Sequence, residues 1–383
     1  MYALTNATLF TSAAELLGHA IIIEGDRIID VVPQTTLPEY IPTIDLKNCI
    51  VAPGFIDLQL NGCGGVMFND TIAADTLDTM HRTNLSSGTT SFLPTLITAP
   101  DEDMLAAMQV VTAYRQHSPH NVLGLHLEGP YLNPRRKGIH NGNYVRQPDA
   151  AMLQKIAHAG RDTVKLLTLA PEVTQLDDIR LLADAGIVVS AGHTDADYET
   201  AIASFEAGVS MATHLFNAMS PWQGRSPGMV GAVFEDENVY AGIIADGHHV
   251  HLASVGLAHK IKRDRLILVT DATPAAGATI ASFRIGGQEV FCQAGKCVSA
   301  DGTLGGSALT MIEAVQNCVE IIGIPLAEVL RMASFYPAQA IAVDDELGRI
   351  VPGYIANLVV LSANLAVVGV VDRGTWYDFV SES

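Results

Sequence analysis

Val122-Leu-Gly-Leu-His126-Leu-Glu128-Gly129-Pro130 is an apolar, strand-like run that stops at a carboxylate and then turns sharply at Gly-Pro. Two further runs stop at histidine in the same way, Gly186-Ile-Val-Val-Ser-Ala-Gly-His193 and Val209-Ser-Met-Ala-Thr-His214. A fourth, Leu266-Ile-Leu-Val-Thr-Asp271, stops at an aspartate. A lone Glu or His at a strand end is ordinarily a solvated terminus. One Glu and two His at strand ends form a set that leaves a coordination position open, as a catalytic zinc requires. The sequence therefore predicts a metal site made of Glu128, His193 and His214, with Asp271 as the general base beside it.

The same texture continues on both sides. Gly54–Leu60, Thr90–Thr95, Val164–Leu169 and Tyr240–Ala245 are further strand candidates, and helix-like stretches separate neighbouring runs. Thr76–Ser87 closes at Gly88, Asp101–Gln116 carries apolar residues at helical spacing, and Asp195–Ala207 closes at Gly208. Thr310–Ile322 and Pro325–Ala333 are expected to be helices as well. Alternating strand and helix is the signature of parallel βα units, and eight such strands are the number that closes a (β/α)8 TIM-like barrel. Catalytic groups of that fold sit at the C-terminal strand ends, which is where Glu128, His193, His214 and Asp271 fall.

The first fifty residues read instead as short strands between turns, and the texture returns in Leu347–Gly353, Ala356–Leu361 and Val367–Val371. The fold class expected is thus α/β: a barrel over 53–348 and a small β-sandwich domain built from both chain ends, 1–52 and 349–383.

With 383 residues, nearly half of them apolar and only 16% charged, the chain has ample material for a large core. Its net charge of -19 argues against nucleic acid or an anionic membrane as partner. No apolar run reaches membrane-spanning length and the N-terminal residues lack a secretory pattern, so a soluble, cytoplasmic protein is expected. Five cysteines without a Cys-x-x-Cys pair predict reduced thiols.

The frame Val51-Ala-Pro-Gly-Phe-Ile-Asp57, the barrel, the strand-end ligands and the late Asp271 together resemble the amidohydrolase superfamily. The resemblance is closest to its branch of sugar-phosphate deacetylases. It is carried by Gln59-Leu-Asn61-Gly-Cys-Gly-Gly65, His126-Leu-Glu-Gly-Pro130, Ala191-Gly-His193, Thr213-His-Leu-Phe-Asn-Ala-Met219, Ala245-Asp-Gly-His-His249 and Val269-Thr-Asp-Ala272. It implies hydrolysis of the acetamide of N-acetyl-D-glucosamine 6-phosphate to D-glucosamine 6-phosphate and acetate, in amino-sugar catabolism. It also implies a cytoplasmic homodimer, or dimer of dimers.

Many members of the superfamily carry His-x-His after the first strand to hold a second metal, where this chain has Gln59 and Asn61. Neutral amides are weak ligands, so one divalent ion per subunit is expected. Zn2+ comes first, and Fe2+, Co2+ and Mn2+ suit the same ligands. His249, just past the seventh strand, is expected to hold the carbonyl oxygen. The resemblance implies further substrate contacts: the phosphate at the Asn217-Ala218 backbone and at Arg225 reaching across a dimer interface, the sugar at Ile139 and His140, and the acetyl group at Leu304-Gly305-Gly306. Two rival classes stay open on these residues: another amidohydrolase activity, such as a deacylase for a different N-acetylated sugar phosphate or a cyclic-amide hydrolase, and a non-catalytic binding or scaffold protein.

Overall fold

A computed structural model describes residues 1–379; residues 380–383, the tail of the expected 349–383 segment, lie outside the described residues. The eight expected barrel strands are all present. They are Phe55–Leu60, Thr89–Ile97, Leu125–Glu128, Val164–Leu169, Val188–Ala191, Val209–Ala212, Tyr240–Ile243 and Leu266–Leu268, hydrogen-bonded in sequence order. The barrel closes where the last strand meets the first: Asp271 N–H donates to Gln59 O at 2.9 Å and Asn61 N–H to Ala272 O at 3.0 Å. Closure therefore fixes Asp271 against the two first-strand amides.

Local chemistry sets the helix boundaries. Asp197 accepts the Thr200 N–H at 2.9 Å, so the helix read from Asp195 begins at Tyr198 and runs to Ala207. Thr310 and Glu313 form a reciprocal cap on Met311–Gln316. Beyond Gln316 the expected helix widens into a π-helical turn, Asn317–Ile322, which ends at Gly323 in the left-handed region.

The small domain draws on both ends of the chain. Its seven strands include Tyr2–Phe10, Glu15–Glu24, Arg27–Pro33, Thr43–Pro53, Leu358–Leu361, Val367–Asp372 and Thr375–Asp378. The sheet curls around a shared core containing Leu4, Ile21, Ile23, Val51, Leu358 and Val360, which makes a β-sandwich. Leu347–Gly353, read as strand-like, forms turns instead. Gly348 and Gly353 both take positive φ, which breaks any extended run. A buried contact ties this domain to the barrel: His81 Nε2 lies 3.0 Å from Asp372 Oδ2, whose other oxygen accepts from Asn121.

One unit was not foreseen. Ser282–Ile285, Gln288–Gln293 and Lys296–Ser299 form a three-stranded antiparallel sheet after the eighth barrel strand. Ile285, Val290 and Cys297 pack it onto Met67, Ile97 and Ile139 at the barrel mouth. The expectation of reduced thiols is overturned for two cysteines: the register of this sheet pairs Cys292 with Cys297, and a disulfide joins them. Cys49, Cys63 and Cys318 are free.

Candidate active site

The strand ends deliver their side chains into one cavity of about 310 Å3 at the barrel mouth. Its walls include Asn61, Glu128, Ile139, His140, His193, His214, Asn217, Ala218, His249, Asp271, Leu304 and Gly306, all singled out from the sequence. The chain turns sharply where it delivers them. His193, His214 and Asp271 have φ of 49°, 35° and 50°, a left-handed conformation that costs a non-glycine residue about 1–3 kcal/mol and collects at functional sites.

Glu128 is the hub. Its Oε1 lies 3.2 Å from His193 Nε2 and 3.1 Å from His214 Nε2, and the two ring nitrogens are 3.1 Å apart. Such edges approach the roughly 3.3 Å that a tetrahedral ion with bonds near 2 Å imposes on its ligands. The donor set fits as well. His193 Nδ1 donates to Arg136 O at 2.8 Å, which leaves a lone pair on Nε2 facing the triangle. His214 Nε2 faces the same point, so two ring nitrogens and a carboxylate oxygen converge where a cation balances them. Burial works against the Glu128 charge, yet the two imidazoles outweigh it and hold the carboxyl well below its usual range. Burial likewise opposes a charge on His214, and the Glu128 carboxylate outweighs that and raises the ring.

His140 makes a second, looser group with Glu128 and His193. Its Nδ1 accepts the Thr98 N–H at 3.4 Å and bonds Thr98 Oγ1 at 2.8 Å, so in a neutral ring the proton sits on Nε2. That nitrogen is 3.9 Å from Glu128 Oε2. His140 therefore offers the cavity an N–H donor, whereas His193 offers it a lone pair, and the tighter His193–His214–Glu128 triangle is the one suited to a metal.

The first-strand amides act as donors. Gln59 Nε2 donates to Glu128 Oε1 at 3.0 Å and to Asp271 Oδ1 at 3.2 Å, and Asn61 Nδ2 donates to Asp271 Oδ1 at 2.7 Å. Gln59 is buried behind the wall. Burial and the nearby Glu128 charge raise Asp271 to about 6, although His214, His249 and the Asn61 bond pull it down. A carboxylate near neutrality suits a group that must take up a proton and release it.

Two expected contacts are not brought to the cavity by this chain. Arg225 is exposed in its loop, away from the cavity walls. Gly305 packs behind the wall, where an added Cβ would lie 2.7 Å from Val290, while Gly306 has φ +73° and would place a Cβ 2.4 Å from Thr273. Conversely, Arg135, Arg136 and Thr303 line the cavity without having been foreseen. Arg136 is tied to Asp195 at 2.7 Å, and Arg135 is exposed. The two adjacent arginines after the third strand were a legible signal in a chain of such negative charge.

Residues 50–376 match the amidohydrolase family and residues 1–51 the NagA composite domain. The chain is similar to an N-acetylglucosamine-6-phosphate deacetylase of Haemophilus influenzae, with 46% identity over 98% of this chain and 99% of the relative. Among solved structures it resembles N-acetylglucosamine-6-phosphate deacetylase from Pasteurella multocida, with a TM-score of 0.97 and 46% identity covering 98% of this chain and 99% of the other. It also resembles a variant of the Mycobacterium smegmatis enzyme in complex with N-acetyl-D-glucosamine-6-phosphate, with a TM-score of 0.91 and 32% identity covering 98% of each chain.

Proposed function

The chain belongs to the amidohydrolase family, and from that premise we propose that it hydrolyses N-acetyl-D-glucosamine 6-phosphate to D-glucosamine 6-phosphate and acetate in amino-sugar catabolism. The observation that carries the reading is the placement of Asp271, poised near neutrality, beside the Glu128–His193–His214 triangle in a cavity of sugar-phosphate size. Similarity to deacetylases along the whole chain supports it.

Glu128, His193 and His214 would hold one divalent ion, Zn2+ in the first instance. When bound, such an ion supplies Lewis acidity and makes a neighbouring water more acidic. Asp271 takes the proton of the attacking water as the new C–O bond forms at the acetamide carbon. It then delivers that proton to the amine nitrogen as the C–N bond breaks, so one carboxylate serves as base and then as acid. Gln59 and Asn61 keep its oxygen aimed through both steps. His249 holds the carbonyl oxygen, and His140, with its Nε2–H, and the Ile139 backbone hold the sugar.

The Asn217-Ala218 backbone and Arg225 of a second copy are our assignment for the phosphate, with Leu304 and Gly306 around the acetyl group. Asn217 uses its side chain internally, donating to His214 O at 3.2 Å, which leaves main-chain groups for the ligand. The exposed position of Arg225 supports a homodimer in which it serves the neighbouring cavity. No helix among the described residues is long and apolar enough to cross a membrane, and we assign the protein to the cytoplasm.

The test is acetate release from N-acetyl-D-glucosamine 6-phosphate, run beside the unphosphorylated sugar with metal content measured on the same sample. Fast release from the phosphorylated sugar with about one ion per chain is expected. A metal-loaded protein that releases no acetate would redirect the assignment to other N-acyl substrates.

A further inference from the structure

The segment 51–57, which leads into the barrel, ends on a carboxyl that has no part in the chemistry above. Asp57 lies fully buried in the first barrel strand and reaches across the closure to the chain just past the eighth. Its Oδ1 accepts the N–H groups of Gln59 at 3.1 Å and of Thr270 at 3.3 Å, and its Oδ2 bonds Thr270 Oγ1. The Thr270 hydroxyl oxygen also accepts the Ala272 N–H at 3.2 Å. From the other side Ser307 Oγ donates to Thr270 O at 2.6 Å, and Ser307 N–H donates to Asp271 O at 2.9 Å.

Asp271 sits at the centre of these bonds. Its own N–H goes to Gln59 O, so every main-chain polar group from Thr270 N to Ala272 N has a partner. The bonds fall beyond the eighth strand, which ends at Leu268, on a turn where Asp271 takes φ 50°. A non-glycine residue keeps that conformation only where its surroundings over-determine it. Rotation about φ swings the whole side chain, so the bonds that fix φ also fix where the carboxyl oxygens lie. The closure has main-chain bonds of its own, from Asn61 N–H and Gly62 N–H to Ala272 O at 3.0 and 3.1 Å, so the Asp57 side chain is not what shuts the barrel.

We infer that Asp57 and Thr270 are positioning residues for the general base: joined across the closure, they hold the turn that aims the Asp271 carboxyl into the cavity. Gln59 and Asn61 then meet that carboxyl from the first strand, at 3.2 and 2.7 Å. The link needs no particular charge on Asp57. An ionised Asp57 accepts from the Thr270 hydroxyl, a protonated one can donate to it, and Oδ1 receives both N–H groups in either state. The task of Asp271 rests on the hydrolase reading above; its orientation by these bonds does not.

Thr270→Val is nearly isosteric and removes the hydroxyl, breaking the links to Asp57 and to the Ala272 N–H, whereas Thr270→Ser keeps both. Metal-loaded wild type, T270V and T270S are compared in steady-state acetate release and in crystal structures. T270V should lose about tenfold to a hundredfold in kcat, with KM within about twofold and metal content unchanged, and T270S should recover most of kcat. In the Asp271→Asn background T270V should cost less than about twofold further, since the group it positions is gone. In the T270V crystal, Asp271 should have left its left-handed φ or lost its Asn61 contact. A wild-type Asp271 geometry in T270V overturns the inference, as does a full T270V effect in the D271N background or a T270S as slow as T270V. Should T270V not fold, Thr270→Ala removes the same hydroxyl with less bulk against Asp57 and carries the same comparisons. Absence of acetate release from the wild type would sink the hydrolase reading, while the crystal comparison would still decide whether Thr270 orients Asp271.

Discussion

The barrel mouth and the small β-domain are built from the same material, short apolar strands, yet they use their irregular residues in opposite ways. In the small domain the non-glycine residues in left-handed conformation include Asn6, Lys47 and Asn48, polar positions beside the register shift between the strands Tyr2–Phe10 and Thr43–Pro53. They relieve a bulge at the surface. In the mouth the same conformation falls on His193, His214 and Asp271, crowded around a carboxylate. Backbone strain and gathered charge coincide there, and neither helps the fold. A change in the mouth should therefore cost activity and spare stability, and a change in the small domain should do the reverse.

The largest effect that would break this comparison belongs to Asp271→Asn. Turnover should fall by about 10^2–10^4-fold, with metal content and melting temperature kept or slightly raised. A variant that turns over normally would remove Asp271 from the chemistry. Next comes Leu358→Ala in the small domain, at a fully buried position. It should lower unfolding free energy by about 2–5 kcal/mol in denaturant titration while leaving kcat at low temperature within twofold or so. A large loss of kcat in folded protein would show that the two regions are not separable.

Asp57, at the floor of the mouth, sharpens the contrast through pH. It is buried under the closing strand pair, where burial raises it to about 7 although Thr270 and the Gln59 N–H bond it. Its unfolded value lies near 4, so folding favours the protonated form. The stability contributed by that proton is complete below about pH 4 and is lost as pH rises to about 7. Asp57→Asn should flatten this slope by as much as a few kcal/mol, and an unchanged slope would assign the pH dependence elsewhere. The smallest effect is expected for Arg135→Ala, at the exposed end of the cavity: KM for the phosphorylated sugar should rise about three- to tenfold with kcat nearly constant. Arg225→Ala, measured beside it, tells whether the phosphate is held by this chain or by its neighbour.

Much of this was legible in the sequence, for identifiable reasons. Barrel strands buried on both faces read as unbroken apolar runs, and the polar residue that ends each one marks the mouth, so Glu128, His193, His214 and Asp271 could be picked out before any coordinate was known. The sheet over 282–299 was not, because its exposed and buried residues alternate over very short strands interrupted by Gly286-Gly287 and by Gly295. The Cys292–Cys297 bond was hidden for the same reason, since only the strand register brings those residues together.

The joint sheet of the small domain also sets a timetable. Strand Thr43–Pro53 finds Tyr2–Phe10 soon after both leave the ribosome, but its other edge pairs with Leu358–Leu361, which follows only after the entire barrel has been made. Through that interval an apolar strand keeps one row of N–H and C=O groups unanswered, an open template for another nascent chain. The barrel is thus synthesised inside a clasp that cannot yet shut. How quickly the final strands arrive, more than how quickly the barrel closes, governs how long the newborn protein is sticky.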